Sequence, residues 1–293
     1  MNSSKKYFIG IDGGGTKCKV RLEDSQGNLL AESIAGPANA ARDLDGSIDS
    51  LLQAAQLAIT TSGIKNLALK DIHAGIGLAG LNIPEVMQAF KEKTLPFASI
   101  NITSDLHIAC LGAHQQNDGA IVIIGTGSSG LVVKDEQQFE FGGHGLPVGD
   151  KASGAWLGKM AITHCLEVCD GIKNSDRFTT EIMDFLQCED AYALVNLTLV
   201  AKPDFYAMLA PLIFKLAKNN EPYAKHLVED AADYINKLSH QLLKLTPARL
   251  SFIGGITASL IPYLTPQLQA VIKAPLGTPE QGAIFYSKYG LQE

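Results

Sequence analysis

The sequence predicts an α/β protein assembled twice on one plan. Tyr7–Ile11 is a short apolar strand that runs into the turn Gly13-Gly14-Gly15 and a second strand at Cys18–Leu22. The same order returns at mid-chain, where Gly119–Ile124, the turn Gly125–Ser129 and Gly130–Lys134 repeat it at an offset of about 113 residues. Between the two copies, strand-like runs alternate with segments of helical period, the pattern of a sheet covered by helices.

Taken in order, the elements support this class. Leu29–Ser33 follows the Ser25-Gln26-Gly27-Asn28 turn and completes an antiparallel meander. From Ala40 to Thr61, Leu44, Ile48, Leu51, Leu52, Ala55 and Ala58 recur at helical spacing, and Ile72–Leu78 returns to a strand. Pro84 opens a helix to about Lys93, and Ser99–Thr103 is a strand that delivers Ser104 and Asp105 to its end. After the second meander the chain turns helical over Ala152–Val168, Asp176–Leu186, Phe205–Lys218 and Pro222–Leu245, read as embellishments of the second domain. Leu250–Ile253 is a buried strand, followed by Gly254-Gly255, a helix opening at Ala258 and a helix at Pro279–Tyr289.

With 293 residues, two domains are expected. The boundaries read from the pattern are 1–108 plus 279–293 for the first and 109–278 for the second. Lys and Arg total 24 against 30 Asp and Glu, for a net charge of −6, and no basic cluster stands out. Nucleic acid and anionic membrane surfaces are therefore not expected partners. No apolar run approaches the roughly 20 residues that cross a bilayer. The polar start with Lys5 and Lys6 is not a signal-peptide core, so a cytoplasmic location is expected. Five cysteines without a regular framework fit reduced thiols.

The chemistry concentrates at the turns. Asp12-Gly13-Gly14-Gly15-Thr16-Lys17 lies between two strands, which excludes a Walker A loop and a dinucleotide fingerprint. A glycine hairpin lets backbone N–H groups converge on a phosphate, with Thr16 adding a hydroxyl and Lys17 a charge. Asp12, at the strand end, would face Mg²⁺ held by those phosphates. Thr126, Gly127 and Ser128 repeat the device. Each turn taken singly reads equally as a tight hairpin; the repetition favours a shared phosphate clamp.

With these residues in view, the sequence resembles the sugar kinase, Hsp70 and actin superfamily. Within it the chain is similar to the BadF/BadG/BcrA/BcrD-type ATPases, which include N-acetylglucosamine kinases and bacterial glucosamine kinases. The resemblance spans nearly the whole chain. It is carried by Ile9–Lys17, Ser104-Asp105 with Ala109–His114, Ile121–Gly130, Gly143–Asp150 running into Gly154–Gly158, and Leu250–Ala258.

That resemblance implies two ribonuclease H-like domains, of the actin-like ATPase type, closing over ATP with the sugar in the cleft between them. It implies an ATP- and Mg²⁺-dependent kinase acting on the 6-hydroxyl of an amino sugar, with N-acetylglucosamine the first acceptor and glucosamine the alternative. Asp105 falls where these kinases keep the carboxylate that accepts the hydroxyl proton. Thr126 falls where they contact phosphate and substrate. Asn39, Gly143, His144, Gly145 and Asp150 fall where they grip the sugar, and Gly254, Gly255 and Ala258 match the adenosine motif. Ala79-Gly80-Leu81-Asn82 departs from the animal N-acetylglucosamine kinases. A homodimer is the candidate assembly.

Other roles compete for the same residues. Asp105 follows a strand and precedes a helix, the place of an N-cap. Asp150 suits an Asx turn, His107 and His144 suit satisfied structural histidines, and Trp156 suits the core as well as a sugar platform. His164, Cys165 and Cys169 have spacing better suited to helix packing than to zinc. At the level of function, an activator of a radical dehydratase would need cluster-binding cysteines. A sugar sensor would need an appended helix-turn-helix, which is not expected with the first phosphate motif so near the start.

Overall fold

In the computed structural model, residues 6–116 and 118–289 are described, and the chain divides into two compact units. One runs up to Gly119 and includes Val133–Gln138 and the segment from Ala274; the other comprises Ala120–Val132 and Phe139–Lys273.

In the first unit β1 (Tyr7–Gly13), β2 (Cys18–Asp24) and β3 (Leu29–Ala35) form the expected antiparallel meander. Helix α1 (Leu44–Ser62) starts later than the apolar period suggests, because Asp43 caps it by accepting the Gly46 N–H at 2.9 Å. Strand β4 (Ile72–Leu78) then pairs parallel with β1, α2 (Pro84–Lys91) crosses over, and β5 (Ser99–Ser104) pairs parallel with β4. Helix α3 (Asp105–His114) leaves the end of β5. The sheet order is β3-β2-β1-β4-β5. Its apolar face presents Ile9, Ile11, Val20, Leu22 and Ile76 to a core that Leu51 of α1 joins, all fully buried or nearly so.

The second sheet contains β6 (Gly119–Ile124), β7 (Ser128–Lys134) and β8 (Gln137–Gly142). A run of helices follows: α4 (Gly154–Cys169), α5 (Arg177–Leu186), α6 (Ala191–Thr198), α7 (Pro203–Ala207), α8 (Ala210–Lys218) and α9 (Pro222–Leu243). Then come β9 (Leu250–Ile253), α10 (Thr257–Leu260), α11 (Pro266–Val271), β10 (Ile272–Lys273) and α12 (Pro279–Tyr289). The order of this sheet is β8-β7-β6-β9-β10. Counted from the first strand of each copy, both sheets read 3-2-1-4-5, so the two units share one topology.

Two departures from expectation have local causes. Phe205–Lys218 is two helices instead of one, since Pro211 has no N–H to donate and sits in the first turn of α8. Strand β8 has no buried position, so it offers no apolar run to read. The helices α4 to α9 pack round Leu157, Phe178, Ile182, Ile213, Val228 and Ile235, the core of the second unit.

Helix α12 belongs to the first unit and lies directly on its sheet. Gly10 and Gly75 face each other in the β1–β4 register. A Cβ on Gly10 would collide with the Glu280 carbonyl, and one on Gly75 with the Ala283 carbonyl. Only glycines permit that approach.

Candidate active site

The first glycine turn is tied into the sheet by its carbonyls. Gly13 O accepts from Ala79 N–H and Gly14 O from Ala38 N–H, each at 2.8 Å, while Gly14 N–H closes the turn onto Lys17 O at 2.9 Å. Gly13 is glycine for packing, since Leu78 and Ala38 occupy the space of a Cβ. Gly14 and Gly15 are different. Neither has a left-handed φ, Gly14 meets nothing nearer than Lys17 O at 3.7 Å, and Gly15 has open space. The chain's own packing does not ask for glycine there, which fits a cradle that a phosphate fills and a side chain would block.

Asp12 ends β1 beneath this turn. Burial, then the charges of Glu280 and Asp105, push its carboxyl up to about 7 against the opposing pull of Lys19 and Lys17. Three carboxylates thus bear on one point. Among the described residues no group of three His, Cys, Asp or Glu side chains is set to hold a metal ion. Asp105 is not the cap of α3: Ser104 is, accepting the His107 N–H at 3.2 Å. Asp105 occupies the first helical position, where its carboxylate accepts the Leu106 N–H at 2.9 Å. Asn39 bridges to Ala79, and its side-chain oxygen accepts the Ala41 and Arg42 N–H groups at 3.1 and 3.2 Å. This bonding leaves the amide NH₂ to donate elsewhere.

The second unit holds the remaining predicted residues. The carbonyls of Gly125 and Thr126 accept the N–H groups of Gly154 and Ala155, at 2.8 and 3.2 Å, at the start of α4. Those are N–H groups that a helix cannot satisfy internally. Pinning the carbonyls toward α4 turns the opposite edge of the Gly125–Ser128 turn outward, and Gly125 itself has open space where a Cβ would stand. Beside it Gly254 adopts φ +122, and a Cβ there would strike Ile124 O; Gly255 is open. Ala258 continues from this turn into a cavity of about 570 Å³ lined by Phe214, Lys215, Lys218, Ser259, Pro262 and Tyr263 with Pro211. The dimensions and apolar walls suit an aromatic base, and the two lysines suit an anion.

Gly143, His144, Gly145 and Asp150 also gather here. Gly143 N–H donates to Ser128 O at 3.0 Å, and the Asp150 carboxylate accepts the Gly145 N–H at 3.1 Å. Burial raises the Asp150 pKa, opposed by the Gly145 N–H, by His144 and by the Ser128 N–H.

A sequence profile for the BadF/BadG/BcrA/BcrD ATPase family matches residues 9–286. The chain belongs to that family. As a member of an ATPase family it uses ATP, and its paired sheets are the two-domain α/β fold of the actin-like ATPases. The glucosamine kinase GspK of Vibrio cholerae is 32% identical over 281 residues, covering 96% of this chain and 95% of its own. A solved structure from Chromobacterium violaceum, described as a candidate N-acetylglucosamine kinase, aligns with a TM-score of 0.90 at 30% identity, over 96% of this chain and 99% of the other. The fold alone is shared with a ROK family glucokinase from Streptomyces griseus, with a TM-score of 0.59 at 17% identity over 98% of this chain and 100% of that one.

The competing roles sort out within this family member. His107 is structural: its Nδ1 lies 2.8 Å from Thr103 Oγ1 and 3.2 Å from Gln138 Nε2, with Tyr286 at its edge. Trp156 packs on the second core with Lys151 over its ring. His164 is engaged by Asp176 at 2.6 Å and Lys173 at 3.3 Å, so the zinc alternative has no histidine to use. Among the described residues no helix is long and apolar enough to cross a membrane.

Sequence reasoning passed over Glu280 and Lys19. The hairpin register, which pairs Lys19 with Asp12, was a signal for the lysine alone; Glu280, 3.8 Å from the Lys19 ammonium, arrives on a helix far along the chain.

Proposed function

We propose that this chain is an ATP-dependent kinase that phosphorylates the 6-hydroxyl of an amino sugar. The observation that carries the reading is Asp105, a carboxylate in the first turn of α3 whose charge reaches Asp12 beside a glycine turn with room for phosphate.

Phosphoryl transfer asks the protein mainly for positioning and charge neutralisation. In the first unit the Gly13, Gly14, Gly15, Thr16 and Lys17 turn would receive phosphate oxygens, with the Gly14 N–H spent on closing the turn, and in the second unit Thr126, Gly127 and Ser128 would receive phosphate with their outward edge. Gly254, Gly255 and Ala258 seat the adenosine. Asp12 would hold Mg²⁺ through water, and the bound ion would supply positive charge beside the phosphates. Asp105 accepts the proton of the attacking hydroxyl at its carboxylate. Asn39 donates its NH₂ to the sugar, and Gly143, His144, Gly145 and Asp150 complete the grip.

N-acetylglucosamine is the acceptor the motifs favour, and glucosamine is the one favoured by the name of the Vibrio cholerae relative. ADP release measured with ATP, Mg²⁺ and a panel of glucosamine, N-acetylglucosamine, N-acetylmannosamine and glucose tests the reading. Turnover on one of the two amino sugars well above that on glucose is expected. Activity on none of the four would refute it.

A further inference from the structure

The turn Gly125–Ser128 has two ends, and they are held differently. Its first end is fixed by the bonds from Gly154 and Ala155 at the start of α4. Its second end lies against Asp150. The carboxylate accepts the Gly145 N–H and the Ser128 N–H, and its Oδ2 lies 2.8 Å from where a Cβ of Gly127 would be. Asp150 reaches this place at φ +55, and Ala152, fully buried, follows at φ +72. Left-handed backbone at two non-glycine residues is unfavourable and persists only where the surroundings over-determine it. A residue needed solely to meet a sugar hydroxyl would not have to clasp two loops.

We infer that Asp150 is a positioning residue for the second phosphate turn, joining Gly127 and Ser128 to the Gly142–Gly145 loop so that the loop offered to the sugar also sets the turn offered to phosphate. The inference rests on the kinase reading for what the two loops bind. A carboxylate has about four acceptor sites, so the two backbone bonds leave capacity for a sugar hydroxyl. The rest of the loop does not depend on the clasp: Gly143 N–H still reaches Ser128 O, and Ser128 Oγ still donates to Lys151 O at 2.7 Å. Loss of the clasp therefore loosens the turn without unfolding the unit.

The test measures nucleotide binding with no sugar present, a quantity that a pure sugar contact cannot influence. Asp150→Asn keeps one acceptor oxygen but places an NH₂ against the second N–H donor. Calorimetry with a non-hydrolysable ATP analogue should show affinity weakened about 10-fold, the worth of one ordering hydrogen bond, with a melting temperature close to wild type. Gly127→Ala approaches the clasp from the other side, because its Cβ displaces the carboxylate. The double variant should be no weaker than the worse single one. Unchanged nucleotide affinity in Asp150→Asn, or full additivity in the double variant, overturns the clasp. Wild-type chain that binds the analogue yet phosphorylates no sugar overturns the kinase reading and leaves the affinity test of the clasp standing; wild-type chain that binds no nucleotide overturns both.

Discussion

Replacing Asp105 by Asn separates catalysis from helix stability more cleanly than the sequence suggested. Had Asp105 capped α3, its replacement would risk helix stability as well as activity. Ser104 does the capping, so Ser104→Ala carries the stability cost, about 1 kcal/mol or 2–4 °C in melting temperature. Asp105→Asn retains a side-chain oxygen for the Leu106 N–H. It also removes one of the charges that crowd Asp12. The variant should melt with wild type and bind both substrates. Its turnover should fall by about 10²-fold or more, equivalent to about 2.7 kcal/mol in the barrier, because a positioned proton acceptor supplies at least that much. Steady-state turnover at saturating sugar and ATP, with metal and pH fixed, decides the matter. A variant that keeps more than about a tenth of wild-type turnover would show that Asp105 is not the base.

Two further outcomes follow from the geometry. Gly14→Val should fold normally, since a Cβ meets nothing closer than 3.7 Å, and should abolish ATP binding by calorimetry; Gly13→Ala should instead cost about 1–3 kcal/mol of stability against Leu78 and Ala38. Burial holds the His107 pKa at about 4, below its ordinary 6.5. Below pH 6.5 the unfolded chain binds a proton that the folded chain excludes, so stability present above 6.5 drains away as pH falls toward 4. Between pH 7.5 and 5 urea titrations should lose about 2 kcal/mol to this residue, and His107→Gln should show a correspondingly shallower decline; equal slopes would count against it.

Much of the first sheet was legible because its turns are glycine-marked and its first strand is buried on both faces, as with the neighbours Phe8 and Ile9. The sequence equally exposed β6 and β9. Strand β8 and helix α6 escaped because their apolar residues are sparse or exposed, as at Tyr192 and Val195, so no period forms. In the site, the glycine turns and Asp105 could be found from local pattern. The nearness of Glu280 to Asp12 could not, since it arises from a helix far along the chain docking on β1 through Gly10. Nor could the clasp at Asp150, which depends on a left-handed backbone that an aspartate rarely signals.

The docking of α12 also has a consequence for synthesis. The five strands of the first sheet leave the ribosome early, but the helix that seats on Gly10 and Gly75 is encoded after the whole of the second unit. At 5–20 residues per second, roughly 150 intervening residues take about 10–30 s. Through that interval the face around Gly10 and Gly75 waits uncovered on the nascent chain. The first unit to be made is therefore the last to be finished, and it is the one for which help from a chaperone during translation should matter most.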